Sequence, residues 1–273
     1  MSIPSTEMRN PASMNMDKMS PEEMALLVIR ANHDAVSACE RASREIAMAT
    51  EAVARAFENG GRLFYIGAGT SGRLGVIDAA ECPPTFGVPH EQVQGIIAGG
   101  AERMFRAGEN EEDKYECGVM EIQERDLLEN DVLVGISAAG NAAYVLGAMN
   151  EARSRGATTV GISSNPDTRV LLAADIPIFV DTGAEVLTGS TRLKAGTAQK
   201  IVLNTITTCA MAMTGKVYEN MMINLAPANE KLKGRVIRIV REILGCDEAE
   251  AIALLADNDW SIRGAVSAAK AGN

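Results

Sequence analysis

At 273 residues, 47% of them hydrophobic, the chain is long enough for one large α/β domain with appendages, or two modest domains. Its formal charge of −10, 26 basic against 36 acidic side chains, comes without any run of Lys or Arg, which argues against nucleic acid or an anionic membrane surface as a partner. Cys39, Cys82, Cys117, Cys209 and Cys246 are widely spaced with no CxxC, as in a reduced cytoplasmic protein, and His33 and His90 leave almost no material for a histidine-based metal site.

Residues 1 to 19 are polar and read as an arm or leader; they lack the hydrophobic segment of a signal peptide, and no later apolar run is long enough to span a membrane. Ser20-Pro21-Glu22-Glu23 is a helix start, with Ser20 as cap, Pro21 at the first helical position and Glu23 placed to close a capping box. The amphipathic pattern then runs to Phe57, predicting two helices broken near Asn32-His33 and stopped by Asn59-Gly60-Gly61. His33, near that break, reads as a surface or capping residue.

Leu63-Phe64-Tyr65-Ile66 is a short buried strand, followed at once by Gly67-Ala68-Gly69-Thr70-Ser71-Gly72 and a helical pattern over Arg73 to Ala80. A strand, a glycine turn and a helix N-terminus together make an anion site, because free amides and the positive end of the helix dipole converge there. The GxGxxG spacing is also that of a dinucleotide fold. Such a fold wants an acid at the end of the second strand, whereas Val93 to Ala98 ends in Gly99-Gly100-Ala101 and the nearest acid is Glu102. The hydroxyls of Thr70 and Ser71 favour a phosphosugar; a tight turn with no ligand is the third possibility.

Further strands are predicted at Val93–Ala98, Val132–Ser137, Thr158–Ser163 and Ile176–Asp181, and helices at Glu111–Asp126, Asn141–Ser154 and Ser190–Thr214. Apolar strands alternating with helices predict an α/β fold, a parallel sheet covered by helices on both faces with ligand loops at the strands' carboxyl ends. Three loops then share one rim: Gly67–Gly72, Gly99–Asn110 and Ser137–Ala143. The last part is helical, Glu230 to Leu244 and then Asp247 to Ala269 as two short helices, with Trp260 as a core anchor. The expected divisions are residues 1–60 (arm and N-terminal helices), 61–217 (ligand-binding domain) and 218–273 (a small C-terminal helical bundle).

Two long segments carry a resemblance. At Gly67–Gly72 with Glu81-Cys82-Pro83-Pro84-Thr85, and again from Gly183-Ala184-Glu185 through Arg192-Leu193-Lys194 to Gln199-Lys200, the chain resembles the N-acetylmuramic acid 6-phosphate etherase family of the sugar-isomerase (SIS) superfamily. The likeness extends over nearly the whole chain, including the arm Thr6-Glu7 to Asn10-Pro11. It implies a flavodoxin-like SIS domain, a homodimer, and cleavage of the D-lactyl ether of a sugar phosphate with neither cofactor nor metal. The family's catalytic glutamate falls on Glu81. A second falls on Glu112, with Glu111 as the alternative in the acidic run Glu109-Asn110-Glu111-Glu112-Asp113.

The resemblance further implies phosphate held by Thr70 and Ser71 with the amides of Gly69 and Gly72, joined by Ser137 and Asn141 of the next loop. Lys194 would neutralise phosphate or carboxylate, and Glu185 accompanies it in the second segment. Family members commonly read Ser-Gly-x-Thr where this chain has Ala139-Gly140-Asn141-Ala142, so two hydroxyls are missing. Three other readings stay open: a phosphosugar sensor of the glucokinase-regulator type, a sugar-phosphate isomerase, and, last, a Rossmann dehydrogenase.

Overall fold

In the computed structural model, residues 3–108, 110–225, 227 and 230–271 are described; Glu109 of the acidic run, and the extreme ends of the predicted arm and tail, lie outside them. Among the described residues no helix is long and apolar enough to cross a membrane. The chain divides into two compact units, the first comprising the chain through Ala80 with Glu91–Ala210, the second Glu81–His90 with the chain from Met211 onward.

In the first unit, helix α1 (Pro21–Arg41) opens on the expected capping box: the Glu23 amide donates to Ser20 Oγ at 3.3 Å and the Ser20 amide to Glu23 Oε2 at 2.7 Å. The predicted break at Asn32-His33 does not occur. Asn32 keeps its side chain on the helix, donating from Nδ2 to the Val28 carbonyl at 2.9 Å, and its Oδ1 accepts the Thr197 hydroxyl at 2.7 Å. The break comes at Ala42, before α2 (Ser43–Glu58).

The sheet has five strands, β1 (Leu63–Gly67), β2 (Val93–Ile97), β3 (Val132–Ile136), β4 (Thr158–Ser163) and β5 (Ile176–Phe179), all parallel, in the order β2-β1-β3-β4-β5. Leu63 of β1 stands opposite Val93 on one side and Val132 on the other. Every residue of β1 and β3 is buried, as strands covered on both faces require. Edge strand β5 alternates buried and exposed, and it tolerates Pro177 because its outer amides need no ladder partner.

Helices α3 (Gly69–Phe86), α4 (Tyr115–Glu124), α5 (Ala143–Ser154), α6 (Arg169–Ala173) and α7 (Lys194–Met213) connect or follow the strands. The helix expected from Glu111 starts as a 3₁₀ turn, Glu111–Asp113, before α4 begins, and α6 went unpredicted because five residues carry too little periodicity. Phe64, Ile66, Leu133, Tyr144 and Met149 form the centre of the core beside α5, each contributing about 1.5–3 kcal/mol by burial.

The arm is ordered on this unit. Thr6 is fully buried; its amide donates to Asn165 Oδ1 at 3.3 Å and Asn165 Nδ2 returns a bond to Thr6 Oγ1 at 2.9 Å.

The second unit contains the short antiparallel pair β6 (Val217–Tyr218) and β7 (Met221–Met222), and helices α8 (Glu230–Leu244), α9 (Glu248–Ala256) and α10 (Ile262–Ala271). Val236, Val240, Leu255 and Ile262 make its core, with Trp260 packed against it as expected from the sequence.

Candidate active site

Strand order reverses between β1 and β3, and in open α/β sheets the crevice beyond the carboxyl ends of such a pair is where ligands bind. A cavity of about 580 Å³ lies there. Its walls are the loop after β1 (Ala68 to Ser71, with Arg73), the segment after β2 (Arg103 and Glu111-Glu112 among others), the loop after β3 (Ser137 to Ala139, with Ala142), Glu7 of the arm, and Gly189 and Thr191.

Backbone contact decides the shape of the first loop. A Cβ on Gly67 would sit 2.7 Å from the Gly72 nitrogen, and one on Gly72 would sit 2.5 Å from the Gly67 oxygen, so the turn closes only with glycine at both. Gly69, at φ +53°, has open space where a side chain would be. The chain therefore enters α3 at once, and its first-turn amides, which no preceding helical carbonyl can claim, face the end of the helix where an anion is favoured.

Around this loop, Ser71 is buried and donates from Oγ to Gln199 Oε1 at 3.0 Å. Ser137 Oγ accepts the Gly140 amide at 3.0 Å, which shapes the second loop and leaves its own O–H available. On the third side, Glu111 is held by Lys114 at 2.8 Å and Arg103 at 3.5 Å. The Lys114 hydrogen bond, with the charges of Lys114 and Arg103, keeps the Glu111 carboxyl below the usual carboxylate range, and the same pairing raises Lys114. Glu112 is exposed on the cavity rim. Arg73 Nε donates to the Met104 carbonyl at 3.1 Å, tying the first loop's helix to the segment after β2.

Of the residues expected from the sequence, Gly69, Thr70, Ser71, Ser137 and Glu112 are thus gathered round one cavity. Gly72 is buried behind the loop. Asn141 is exposed and spans its own loop, donating to the Ala139 carbonyl at 3.3 Å and accepting the Arg169 amide at 3.4 Å. Glu185 is fully buried at the start of α7, and Lys194 borders a smaller hollow of about 340 Å³ with Asn10, Arg41 and Asp181, its ammonium 2.9 Å from Asp34. Glu81 is exposed on α3, in the part of the helix belonging to the second unit, and is not among the cavity-lining residues.

Sequence reasoning missed Arg73, Arg103, Glu7, Gly189 and Thr191 as wall residues. Arg73 follows the glycine loop directly, and Gly189 and Thr191 lie in the second segment of resemblance, so those three had a signal. Arg103 lies within Gly99–Asn110, a rim loop expected from the sequence, and Glu7 within the arm that shares the resemblance, but nothing in the sequence singled out either side chain. Among the described residues, no group of three or more His, Cys, Asp and Glu is gathered to hold a metal ion.

Residues 45–153 match the family described as the glucokinase regulatory protein N-terminal SIS domain. Among solved structures, a candidate sugar-phosphate isomerase of Listeria monocytogenes superposes with a TM-score of 0.51 at 18% identity, covering 71% of this chain and 92% of that one. A protein of E. coli CFT073, solved as a complex, gives 0.51 at 15% identity, covering 72% and 92%. At those identities the likeness bears on the fold alone. Sequence relatives are nearer. The N-acetylmuramic acid 6-phosphate etherase of Actinobacillus pleuropneumoniae serotype 5b is 50% identical over 256 residues, 93% of this chain and 84% of that protein. The etherase of Microcystis aeruginosa is 47% identical over 267 residues, 98% of this chain and 87% of that protein. Identity at this level across almost the whole length, on a sheet of this order, means that the chain belongs to the N-acetylmuramic acid 6-phosphate etherase family.

Proposed function

We propose that this protein cleaves the D-lactyl ether of N-acetylmuramic acid 6-phosphate, releasing N-acetylglucosamine 6-phosphate and D-lactate, as a cytoplasmic homodimer in the recycling of cell-wall amino sugars. In this reading residues 61–217 bind the phosphosugar, residues 1–60 supply the arm and leading helices, and residues 218–273 form a helical appendage. The observation that carries it is the cavity at the strand-order reversal, with an amide- and hydroxyl-lined turn at one wall and Glu112 at another, in a chain 50% identical to a named etherase.

An ether at C3 of a sugar leaves poorly until the ring opens; C1 is then an aldehyde and the C2 proton becomes acidic. A carboxylate takes that proton, the C3–O bond breaks with its electron pair going to the lactyl oxygen, and that oxygen is protonated. Water then adds across the C2–C3 double bond, hydroxyl to C3 and proton to C2. The reaction needs one base and one acid near C2 and C3, each worth about 10²–10⁴-fold, with the phosphate as a handle at the far end.

Thr70 and Ser71, with the first-turn amides beside them, are the phosphate grip in this reading, with Ser137 next to them; the Gly72 amide is taken by the Ala68 carbonyl at 3.3 Å, and Asn141, Glu185 and Lys194 are engaged elsewhere. Glu81 is the main acid–base group. Its assignment rests on the segment Asp78-Ala79-Ala80-Glu81-Cys82-Pro83-Pro84, and its exposure is compatible with proton exchange. Glu112 assists ring opening or water addition.

Incubation with the lactyl sugar phosphate and an assay for D-lactate separates an etherase from a sensor or an isomerase, neither of which releases lactate. Near-normal release by well-folded Glu81→Gln would remove Glu81 from its role.

A further inference from the structure

Ser71 has a single hydroxyl proton, and it points away from the cavity that the residue lines, to Gln199 Oε1 at 3.0 Å. The other end of that amide is badly served. Gln199 is 1% exposed, and its Nε2 has no hydrogen-bond partner among the described residues. A buried NH₂ without an acceptor is costly, and a buried carbonyl with an unused lone pair is the more common compromise.

A glutamine amide is a donor at one end and an acceptor at the other, and rotation about χ3 exchanges them. After that rotation Nε2 would donate to Ser71 Oγ, the Gln199–Ser71 bond would persist with its direction reversed, and the Ser71 O–H would be released to donate toward the cavity. A phosphate there supplies the missing acceptor, and a hydrogen bond to a charged oxygen is stronger than one to a neutral amide. The present orientation is the one that leaves Ser71 least able to bind an anion.

We propose that Gln199 is a positioning residue for phosphate recognition: its amide turns over when an anion enters the cavity, converting Ser71 from a donor to Gln199 into a donor to the phosphoryl oxygen. This rests on the sugar-phosphate reading of the site. Both residues belong to the first unit.

Calorimetric titration of the full chain with inorganic phosphate and with N-acetylglucosamine 6-phosphate tests it, using wild type, Ser71→Ala, Gln199→Glu, Gln199→Leu and the Ser71→Ala/Gln199→Glu double variant. Ser71→Ala loses the charged hydrogen bond and weakens binding by about tenfold or more. At a pH where its carboxyl is ionised, Gln199→Glu can only accept, so it keeps the hydroxyl turned inward and loses at least as much, and in the Ser71→Ala background its further effect falls to about threefold or less. Gln199→Leu removes the competing acceptor together with the donor that holds Ser71 in place, so it weakens binding, but by less than Gln199→Glu does. A glutamine that merely supported the wall or touched the ligand directly would make Gln199→Leu the more damaging change.

In the wild-type chain labelled with ¹⁵N in its glutamine side chains, the Gln199 NH₂ signal, identified by its absence in Gln199→Leu, moves on addition of phosphate and stays in place in Ser71→Ala. Gln199→Glu binding like wild type, or a Gln199 signal unmoved at saturating phosphate, overturns the proposal while the sugar-phosphate site stands. Failure of wild type to bind either ligand overturns both.

Discussion

Glu185 and Lys194 meet through the backbone of α7: the buried carboxylate accepts the Lys194 amide at 2.9 Å and the Ala195 amide at 3.0 Å, while the Lys194 ammonium turns to Asp34 at 2.9 Å. The carboxylate therefore stands at the positive end of a 20-residue helix and satisfies two of the amides that no helical carbonyl can reach. Glu185→Ala leaves both buried amides without an acceptor, and urea unfolding should show a loss of about 2–4 kcal/mol. Glu185→Gln keeps one acceptor oxygen and should lose about half as much. Unchanged unfolding midpoints in both variants would refute the capping role.

Asn165 ties the arm to the carboxyl end of β4. Besides its exchange with Thr6, it accepts the Ser5 hydroxyl at 2.9 Å, and the next arm residue, Glu7, is part of the cavity wall. Asn165→Ala should release the arm, at about 2 kcal/mol in stability. Proteolysis within residues 1–19 should then accelerate, and the KM for the sugar phosphate should rise more than kcat falls. A protected arm in that variant would count against the link.

Glu111 and Glu112 line the same cavity but are occupied differently. Glu111 is committed to Lys114 and Arg103, which stabilise its ionised form. Such a carboxylate is a weak proton donor, whereas Glu112 stands exposed on the rim. Glu112→Gln should lower the rate of lactate release by about 10²-fold or more, and Glu111→Gln, which mainly loosens Arg103 and Lys114, by less than about tenfold. The reverse order would transfer the role to Glu111.

Ala139 and Ala142 are both wall residues, and neither offers the cavity a hydroxyl. Ala139→Ser should tighten phosphate binding by about 3- to 10-fold, measured by calorimetry. Ala142 is also the N-cap of α5, where no side chain caps the helix. Ala142→Thr should therefore raise stability by about 0.5–2 kcal/mol in thermal melts as it restores a cap. Weaker phosphate binding in Ala139→Ser would show that the wall is already closed against a hydroxyl.

Asp78 is 5% exposed, and burial pushes its carboxyl up from the usual range, against the Asn204, Tyr65 and Thr207 hydrogen bonds that pull it down. A folded-state value above the unfolded one, about 3.9, means that the native protein binds this proton more tightly. The group's contribution to stability is complete below the unfolded value and is lost as pH rises through the folded one. Asp78→Asn, which cannot ionise, should therefore gain on wild type between about pH 4 and neutrality in paired urea titrations. A difference that is flat with pH would refute the shift.

Local pattern alone was enough for the strands, for most helices, for the Ser20–Glu23 capping box and for the glycine turn at Gly67–Gly72. Each is written in residues close together in the chain, where side-chain period, cap chemistry and φ preference act. One error marks where that reach ends. Asn32-His33 read as a break, yet Asn32 stays in α1 with its side chain bonded to Val28 and to Thr197, a partner 165 residues away.

The walls of the cavity belong to the same category. Ser71 and Gln199 are 128 residues apart, and Thr6 and Asn165 are 159 apart. No periodicity relates such pairs. They meet because the parallel sheet fixes its strand order and register through buried β1 and β3, and the loops then fall on one rim in an order that the chain does not follow. The sequence by itself determined the elements, the glycine turn at Gly67–Gly72 and, through its two long signature segments, the family. Which carboxylate is tied into ion pairs, which hydroxyl faces inward and which stretch of the arm closes the wall were decided only by tertiary structure, because hydrogen-bond partners are assigned by distance in space.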